Sequence, residues 1–279
     1  MPSSTTTILT IARKELTDRL RNRWVWTVST LLCVSALAIV FFGAAPVGVV
    51  GGEGGAAAMA SLTNLAVYLV PLIAMILGCG AIIDEKQRGT LDLILVQPLT
   101  IGAYFAGTFL GFAVALVIAV GSGLAIAGAV TALWLGVGVA EYLMLLLLAL
   151  LLGGAFLALS FLVSLLARER GRAIAASVFV WLFAVFVFDL CLVGLLIASS
   201  GKVPAPLFGA LLLANPADVF RLLSLHWVGS AATPIGLSSL AGSGMSPVVL
   251  FGMLLLWIVL PLTLSYALLR RRIANDSLA

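Results

Sequence analysis

The chain has 279 residues, 63% of them hydrophobic and only 9% charged, with a mean hydropathy of +1.24. A soluble globular protein carries roughly a quarter charged residues, so this composition excludes a water-soluble fold and demands an all-α polytopic membrane protein. The formal charge of +4 does not argue for nucleic acid, because the basic residues sit at the ends of apolar runs rather than in a patch. Cys33, Cys79 and Cys191 fall inside those runs without CxxC spacing, and no disulfide framework is indicated.

Residues 1–23 are a polar opening followed by IARKELTDRLRNRW. Ile8, Ala12, Leu16, Leu20 and Trp24 recur every four residues, while Arg13, Lys14, Glu15, Asp18, Arg19, Arg21 and Arg23 fill the other face. This pattern predicts an amphipathic elbow helix on the membrane surface, with Trp24 and Trp26 at headgroup level. The alternative is a signal peptide ending near Ala44-Ala45-Pro46, but the charged region is too long for one and the downstream chain is itself membranous.

Six apolar runs follow, at 24–45, 62–83, 104–130, 143–166, 174–198 and 247–269, each long enough for the ~20 residues of helix that cross a bilayer. They make residues 24–269 a six-span domain, and 270–279 a basic tail containing Arg270, Arg271 and Arg272. With the N-terminus inside, all fifteen Lys and Arg except Lys202 and Arg221 lie on the cytoplasmic side. That asymmetry places both termini and the 84–100 connection in the cytoplasm and the 199–246 loop outside.

The 84–100 connection packs Asp84, Glu85, Lys86, Arg88 and Asp92 into a short stretch of an otherwise apolar chain. Gly89 can end one helix and Thr90 can cap the next, with Asp92 in its first turn where a carboxylate favours the helix dipole. Leu91, Ile94, Leu95, Pro98 and Leu99 recur at helical spacing, and Pro98 stops the run. The prediction is a short amphipathic coupling helix whose charges can bind a soluble partner while Leu91, Ile94 and Leu95 enter its cleft or the bilayer surface. A solvated loop is the plainer alternative.

Pro204, Pro206, Pro216 and Pro234 interrupt the outer loop, which is therefore not a seventh span. Within it, Asn215-Pro216-Ala217-Asp218 reads as a helix start, with Asn215 as N-cap, Pro216 at the first position and Asp218 in the first turn. Val219, Leu222, Leu223 and Trp227 would share its apolar face. Such a helix either lids the outer ends of the spans or serves a periplasmic partner, whose candidate contacts are Asn215, Asp218, Arg221, His226 and Trp227.

No G-x-x-x-x-G-K-[ST] occurs: the only Gly-Lys pair is Gly201-Lys202, followed by Val203, so ATP hydrolysis by that route is excluded for this chain. His226 is the single histidine and has no partner at metal-ligand spacing, so neither a catalytic residue nor a metal site is assigned. Asp189, beside Phe186, Phe188 and Cys191 in the fifth run, is costly in lipid and should face the bundle interior or a cavity, in a conformational or a structural role. Met75 and Cys79 share a helix face and offer soft ligands to Cu(I), although such spacing is more often packing. Gly107 and Gly111 permit close helix approach and point weakly to dimerisation.

The elbow sequence, the stretch DEKQRGTLDLILVQPLT and the following Gly107 together resemble the ABC-2 type permease family, in which an acidic-basic cluster, Gly-Thr-Leu-Glu/Asp and Pro-[Leu/Val]-[Ser/Thr] form the region that seats in the ATPase subunit. The six-run layout with a long outer loop before the last span extends the resemblance over essentially the whole chain. Within the family it looks most like the permease subunits of copper-maturation systems for nitrous oxide reductase. The resemblance implies a homodimer in the bacterial inner membrane, two copies of a cytoplasmic ATPase that bind ATP and Mg, and no cofactor on this chain. It further implies a periplasmic β-helix protein that handles copper, with a copper chaperone upstream. An exporter of a drug, lipid or sulfur compound is the alternative function, and an ATPase-independent channel or scaffold the second alternative.

Overall fold

A computed structural model describes residues 4–21, 23–43, 53–87, 89, 100–200, 202–228 and 245–276. All regular structure among them is helical: α1 Ser4–Arg21, α2 Arg23–Gly43, α3 Glu53–Gly78, α4 Ile83–Gln87, α5 Ile101–Leu135, α6 Val139–Leu166, α7 Arg170–Ala198, α8 Ala205–Leu213, α9 Pro216–Val228 and α10 Pro247–Asp276. Five stretches are long and apolar enough to cross a membrane, namely Ala57–Gln87, Ile101–Trp134, Val139–Leu166, Arg170–Ala198 and Pro247–Ala274. The bent pairs α1–α2 and α8–α9 each meet the same test when joined, so the helices allow five to seven spans. The chain is an all-α polytopic membrane protein, as its composition requires.

The bundle is built around α6, which packs against α3, α5, α7, α9 and α10. Leu152, Phe156, Leu157 and Phe161 of α6 are fully buried, and Phe105, Phe109 and Phe112 of α5 meet Phe161 edge-on at 5.4–5.9 Å between ring centroids. Edge-on rings bring positive edges to negative faces and make this the rigid centre of the core. By contrast α7 and α10 leave large side chains such as Phe179, Leu190, Ile197, Val249 and Val259 exposed. Those faces are surfaces for lipid or another apolar partner.

Several boundaries depart from the sequence pattern for identifiable reasons. The helix of the second run already starts at Glu53, within the predicted first loop, and breaks after Gly78 in a turn over Cys79–Ile82. Between α5 and α6 the connection shrinks to Gly136–Gly138, with Gly136 at φ 63°, a backbone angle that favours glycine. Gly128 faces the Tyr142 ring, whose hydroxyl donates to the Leu124 carbonyl and pins this hairpin.

The helix predicted for the N-terminal segment is present as α1, but its polar face is not all solvated. Helix α1 lies along α5, where a Cβ on Gly111 would fall 2.6 Å from the Glu15 Cβ and one on Gly107 2.8 Å from the Ile11 Cβ. The close approach that these glycines permit is therefore made within the chain. It buries Glu15 to 5% exposure, against its sequence assignment to the solvent face, because the two missing side chains open a groove wide enough for it. Trp26 Nε1 donates to the Leu20 carbonyl at 2.9 Å and closes the α1–α2 corner. The predicted placement of Trp24 lies outside the described side chains.

Candidate functional site: two charged networks joined by one helix

The first network gathers where α1, α4 and the start of α7 meet. Ser164 of α6 builds its frame: its Oγ accepts from the amides of Ile82 at 2.9 Å and Ile83 at 3.1 Å, satisfying donors at the start of α4. Gly80 leaves room for the neighbouring carboxylate, since a Cβ there would lie 2.5 Å from Asp84 Oδ2. At the other end of α4, Gly89 takes φ 67° and donates to the Lys86 carbonyl at 3.1 Å, the helix stop that its position in the sequence predicts.

On this frame Arg170 pairs with Asp84 at 3.2 Å, and Lys14 bridges Glu15 at 3.2 Å and Glu85 at 3.5 Å. Arg19 approaches Glu15 at 3.8 Å and places its guanidinium 4.2 Å from the Phe112 ring centroid. Burial lowers the pKa of Lys14, but Glu15 and Glu85 outweigh it and hold the ammonium above its ordinary value, so it stays charged. Glu15, Arg19, Asp84, Glu85 and Arg170, with Asp18 and Arg21, line an open cleft of about 590 Å³. Asp84 and Glu85 are thus held by pairs inside the chain, whereas Lys86 projects into solvent. Arg88, Thr90, Leu91, Asp92, Ile94 and Leu95 lie outside the described residues.

The second network sits near the other end of α7. Residues Phe183–Val187 form a π-helical turn that offers the Ala184 carbonyl to a partner outside α7. Asn215 takes it: Nδ2 donates to the Ala184 carbonyl at 2.7 Å and to Asp218 Oδ2 at 2.8 Å, while Oδ1 accepts from the Ala217 amide at 3.1 Å and caps α9. Arg221 Nη1 donates to Asp218 Oδ1 at 2.8 Å and to Asp189 Oδ2 at 2.6 Å. Asp218 is only 2% exposed whereas the Asp189 side chain is 30% exposed, so one largely buried guanidinium joins a buried carboxylate to a partly exposed one.

A single family description covers nearly the whole chain: "ABC-2 family transporter protein" matches residues 9–272. The chain belongs to the ABC-2 transporter family. It is similar to the "Probable ABC transporter permease protein NosY" of Stutzerimonas stutzeri, with 40% identity over 269 residues, 94% of this chain and 98% of that one. The protein of the same name from Pseudomonas aeruginosa is also 40% identical, over 271 residues, 95% of this chain and 98% of the relative. An ABC-2 permease is the membrane subunit of an ABC transporter and implies an ATPase partner.

Within this ABC-2 permease, the structure brings together Asp189, Asn215, Asp218 and Arg221, which the sequence singled out for two separate reasons. His226 and Trp227 stand apart from them. His226 is exposed, with Nδ1 2.9 Å from the Leu222 carbonyl, and Trp227 is half exposed rather than sharing the buried face of Val219, Leu222 and Leu223. Met75 and Cys79 are buried, and the Cys79 thiol donates to the Ile76 carbonyl at 3.1 Å. No group of three or more His, Cys, Asp and Glu arranged to hold a metal occurs among the described residues. Sequence reasoning missed Lys14, Ser164 and Arg170 as members of the first network. The run Arg168-Glu169-Arg170-Gly171-Arg172 was visible, but nothing in its spacing says which arginine turns inward.

Proposed function

We propose that this ABC-2 permease, acting as a pair of copies, carries the closure of two cytoplasmic ATPase subunits to a periplasmic copper-handling partner during copper-site assembly of nitrous oxide reductase. Likeness to the two NosY proteins over nearly their full length supports the choice within the family. The observation that carries the mechanical reading is that α7 holds a member of both networks. Its first residue, Arg170, binds Asp84 beside the coupling stretch, and Asp189, about 28 Å further along a helix rising 1.5 Å per residue, binds Arg221 of α9.

In this reading the N-terminus, the 84–100 stretch and the basic tail face the cytoplasm, as the distribution of Lys and Arg requires. Lys86 and Arg88 supply charge-assisted contacts to the ATPase, and Leu91, Ile94 and Leu95 of the coupling segment enter its cleft. Displacement of that segment pulls on Asp84, and Arg170 passes it to α7. At the outer end, α9 presents His226 and Trp227 to the partner.

The test is purification of the chain from native membranes with identification of what stays bound. An ATPase and a periplasmic β-helix protein are expected with the unaltered chain, and Leu91→Asp is expected to lower ATPase recovery at least tenfold, since a buried charge without a partner at an interface costs several kcal/mol. ATPase recovery that survives Leu91→Asp and Glu85→Lys together removes the coupling assignment. An ATPase with no outer partner, and hydrolysis stimulated by a small substrate, points instead to an exporter.

A further inference from the structure

The second network contains more hydrogen bonds than are needed to cap α9 or to neutralise Asp189. Asn215 alone would cap the helix through Oδ1, and Arg221 alone would neutralise Asp189. What the whole set adds is attachment at two points of α7 on either side of the π-helical turn's end. Asn215 Nδ2 holds the Ala184 carbonyl inside the turn, and Arg221 holds Asp189 just beyond it. Asp218 ties the two donors to each other, accepting from Asn215 through Oδ2 and from Arg221 through Oδ1. The four side chains therefore form one continuous clamp.

The surroundings show why a clamp matters here. The α9 face carrying Val219, Phe220, Leu222 and Leu223 is buried, and α9 packs on α3, α6 and α10. The part of α7 beyond the turn, Phe188–Ala198, buries only Leu192, while Leu190, Val193, Leu195 and Ile197 are exposed. Its apolar packing alone does little to fix it against α9. Before the turn, Trp181 Nε1 donates to the Tyr68 carbonyl of α3 at 2.9 Å, and within it Phe186 stacks on Tyr68 at 5.3 Å between centroids. The outer part of α7 is thus held to the bundle by polar contacts on one side and little else.

We infer that Arg221, with Asn215 and Asp218, is a positioning device that makes the outer part of α7 and the α8–α9 hairpin move as one body, so that displacement of α7 reaches the outer surface through α9. The π-helical turn serves as the grip, because the Ala184 carbonyl within it accepts from Asn215 Nδ2 and gives α9 a backbone handle on α7. The hairpin itself turns by 109° between α8 and α9, and Trp257 Nε1 of α10 donates to the Leu213 carbonyl at its bend at 3.1 Å. A hairpin braced at its corner and clamped at α9 transmits movement instead of absorbing it. This inference extends the mechanical reading above, and its test separates the two.

Cys191 is exposed on α7 and serves as a native attachment site for a spin label once Cys33 and Cys79 are replaced by Ala; Trp227→Cys supplies the second site on α9. Interspin distances are measured on the full chain in lipid nanodiscs, first without nucleotide and then with the ATPase trapped in its ATP-bound state. A single narrow distribution, the same in both states, is expected with the clamp intact. Arg221→Gln is expected to broaden it severalfold without nucleotide. Asp189→Asn, which leaves the Asp218–Arg221 pair in place and cuts only the link to α7, is expected to broaden it and to make it depend on nucleotide, an effect that simple loss of stability does not produce. A distance that changes with nucleotide in the unaltered clamp overturns the inference, as do narrow, unchanged distributions in the variants. Should Arg221→Gln fail to fold, Asp189→Asn decides alone. The measurement without nucleotide needs no ATPase, so failure of an ATPase to bind counts against the proposed function and leaves the clamp to be judged on its own.

Discussion

The two ends of α7 hold arginine in opposite ways. Arg221 reaches its carboxylates at 2.6 and 2.8 Å and is largely buried, whereas Arg170 meets Asp84 at 3.2 Å across an open cleft and keeps more than half of its side chain in solvent. Exposed pairs gain little because water and salt screen them, and buried ones are rigid because the alternative to pairing is an uncompensated charge. The difference suits one end to change partners and the other to keep them. A permease that takes up movement at one surface and delivers it at the other needs both properties, in that order.

The comparison is broken most severely at the buried end. Arg221→Gln leaves Asp189 and Asp218 facing each other without a cation and is expected to destabilise the protein by about 3–5 kcal/mol. Thermal unfolding in detergent, followed by reaction of the buried Cys79 thiol with a maleimide after Cys33 has been replaced by Ala and Cys191 blocked, should show a fall in midpoint of about 10 °C. A fall of only a degree or two denies that the network is tight.

Next in size is the groove that seats α1. Gly111→Leu forces a side chain into the space held by Glu15 and Ala12 and is expected to cost about 1–3 kcal/mol by lifting α1 from α5. Limited trypsin digestion should then cut at Arg13 or Lys14 several times faster, with the remaining helices protected. Unchanged cleavage shows that α1 stays attached by other means.

Ser164→Ala has a comparable cost confined to the frame of the first network, about 1–3 kcal/mol for two amides left without an acceptor. Ser164→Thr retains the oxygen and should restore most of the loss, read by the same maleimide assay at Cys79. Equal loss in both variants assigns the effect to packing rather than to the hydrogen bonds.

How much of this was legible follows from the kind of signal each residue leaves. The helix start at Asn215, the glycine stop at Gly89 and the apolar runs were readable because capping, left-handed backbone and hydropathy are local properties. That Asp189 needs a polar partner was readable too, since a carboxylate among phenylalanines has few other choices. Its identity was not: Arg221 is 32 positions away, and no periodicity links them. The π-helical turn left no mark in FAVFV, an apolar stretch like those around it, and its partner Asn215 lies 31 positions from Ala184. Glu15 was assigned to solvent because helical spacing alone cannot register a groove cut by Gly107 and Gly111 in a distant segment.

Arg170→Gln should have the smallest effect on stability and is the sharpest control for the comparison. Asp84 is left without its cation, but the cleft is open and water takes the guanidinium's place, so the expected cost is about 0–1 kcal/mol and should vanish at high salt. Its effect on transmission should be much larger than its effect on folding, because under the proposed function Arg170 is the contact through which movement of the coupling stretch enters α7. A variant that unfolds at nearly the normal temperature, still binds the ATPase, yet shows no nucleotide-dependent movement of a label at Cys191 relative to the α6 core separates the two roles. If instead Arg170→Gln destabilises the protein as much as Arg221→Gln, the inner pair is structural like the outer one, and movement must enter the bundle by another helix.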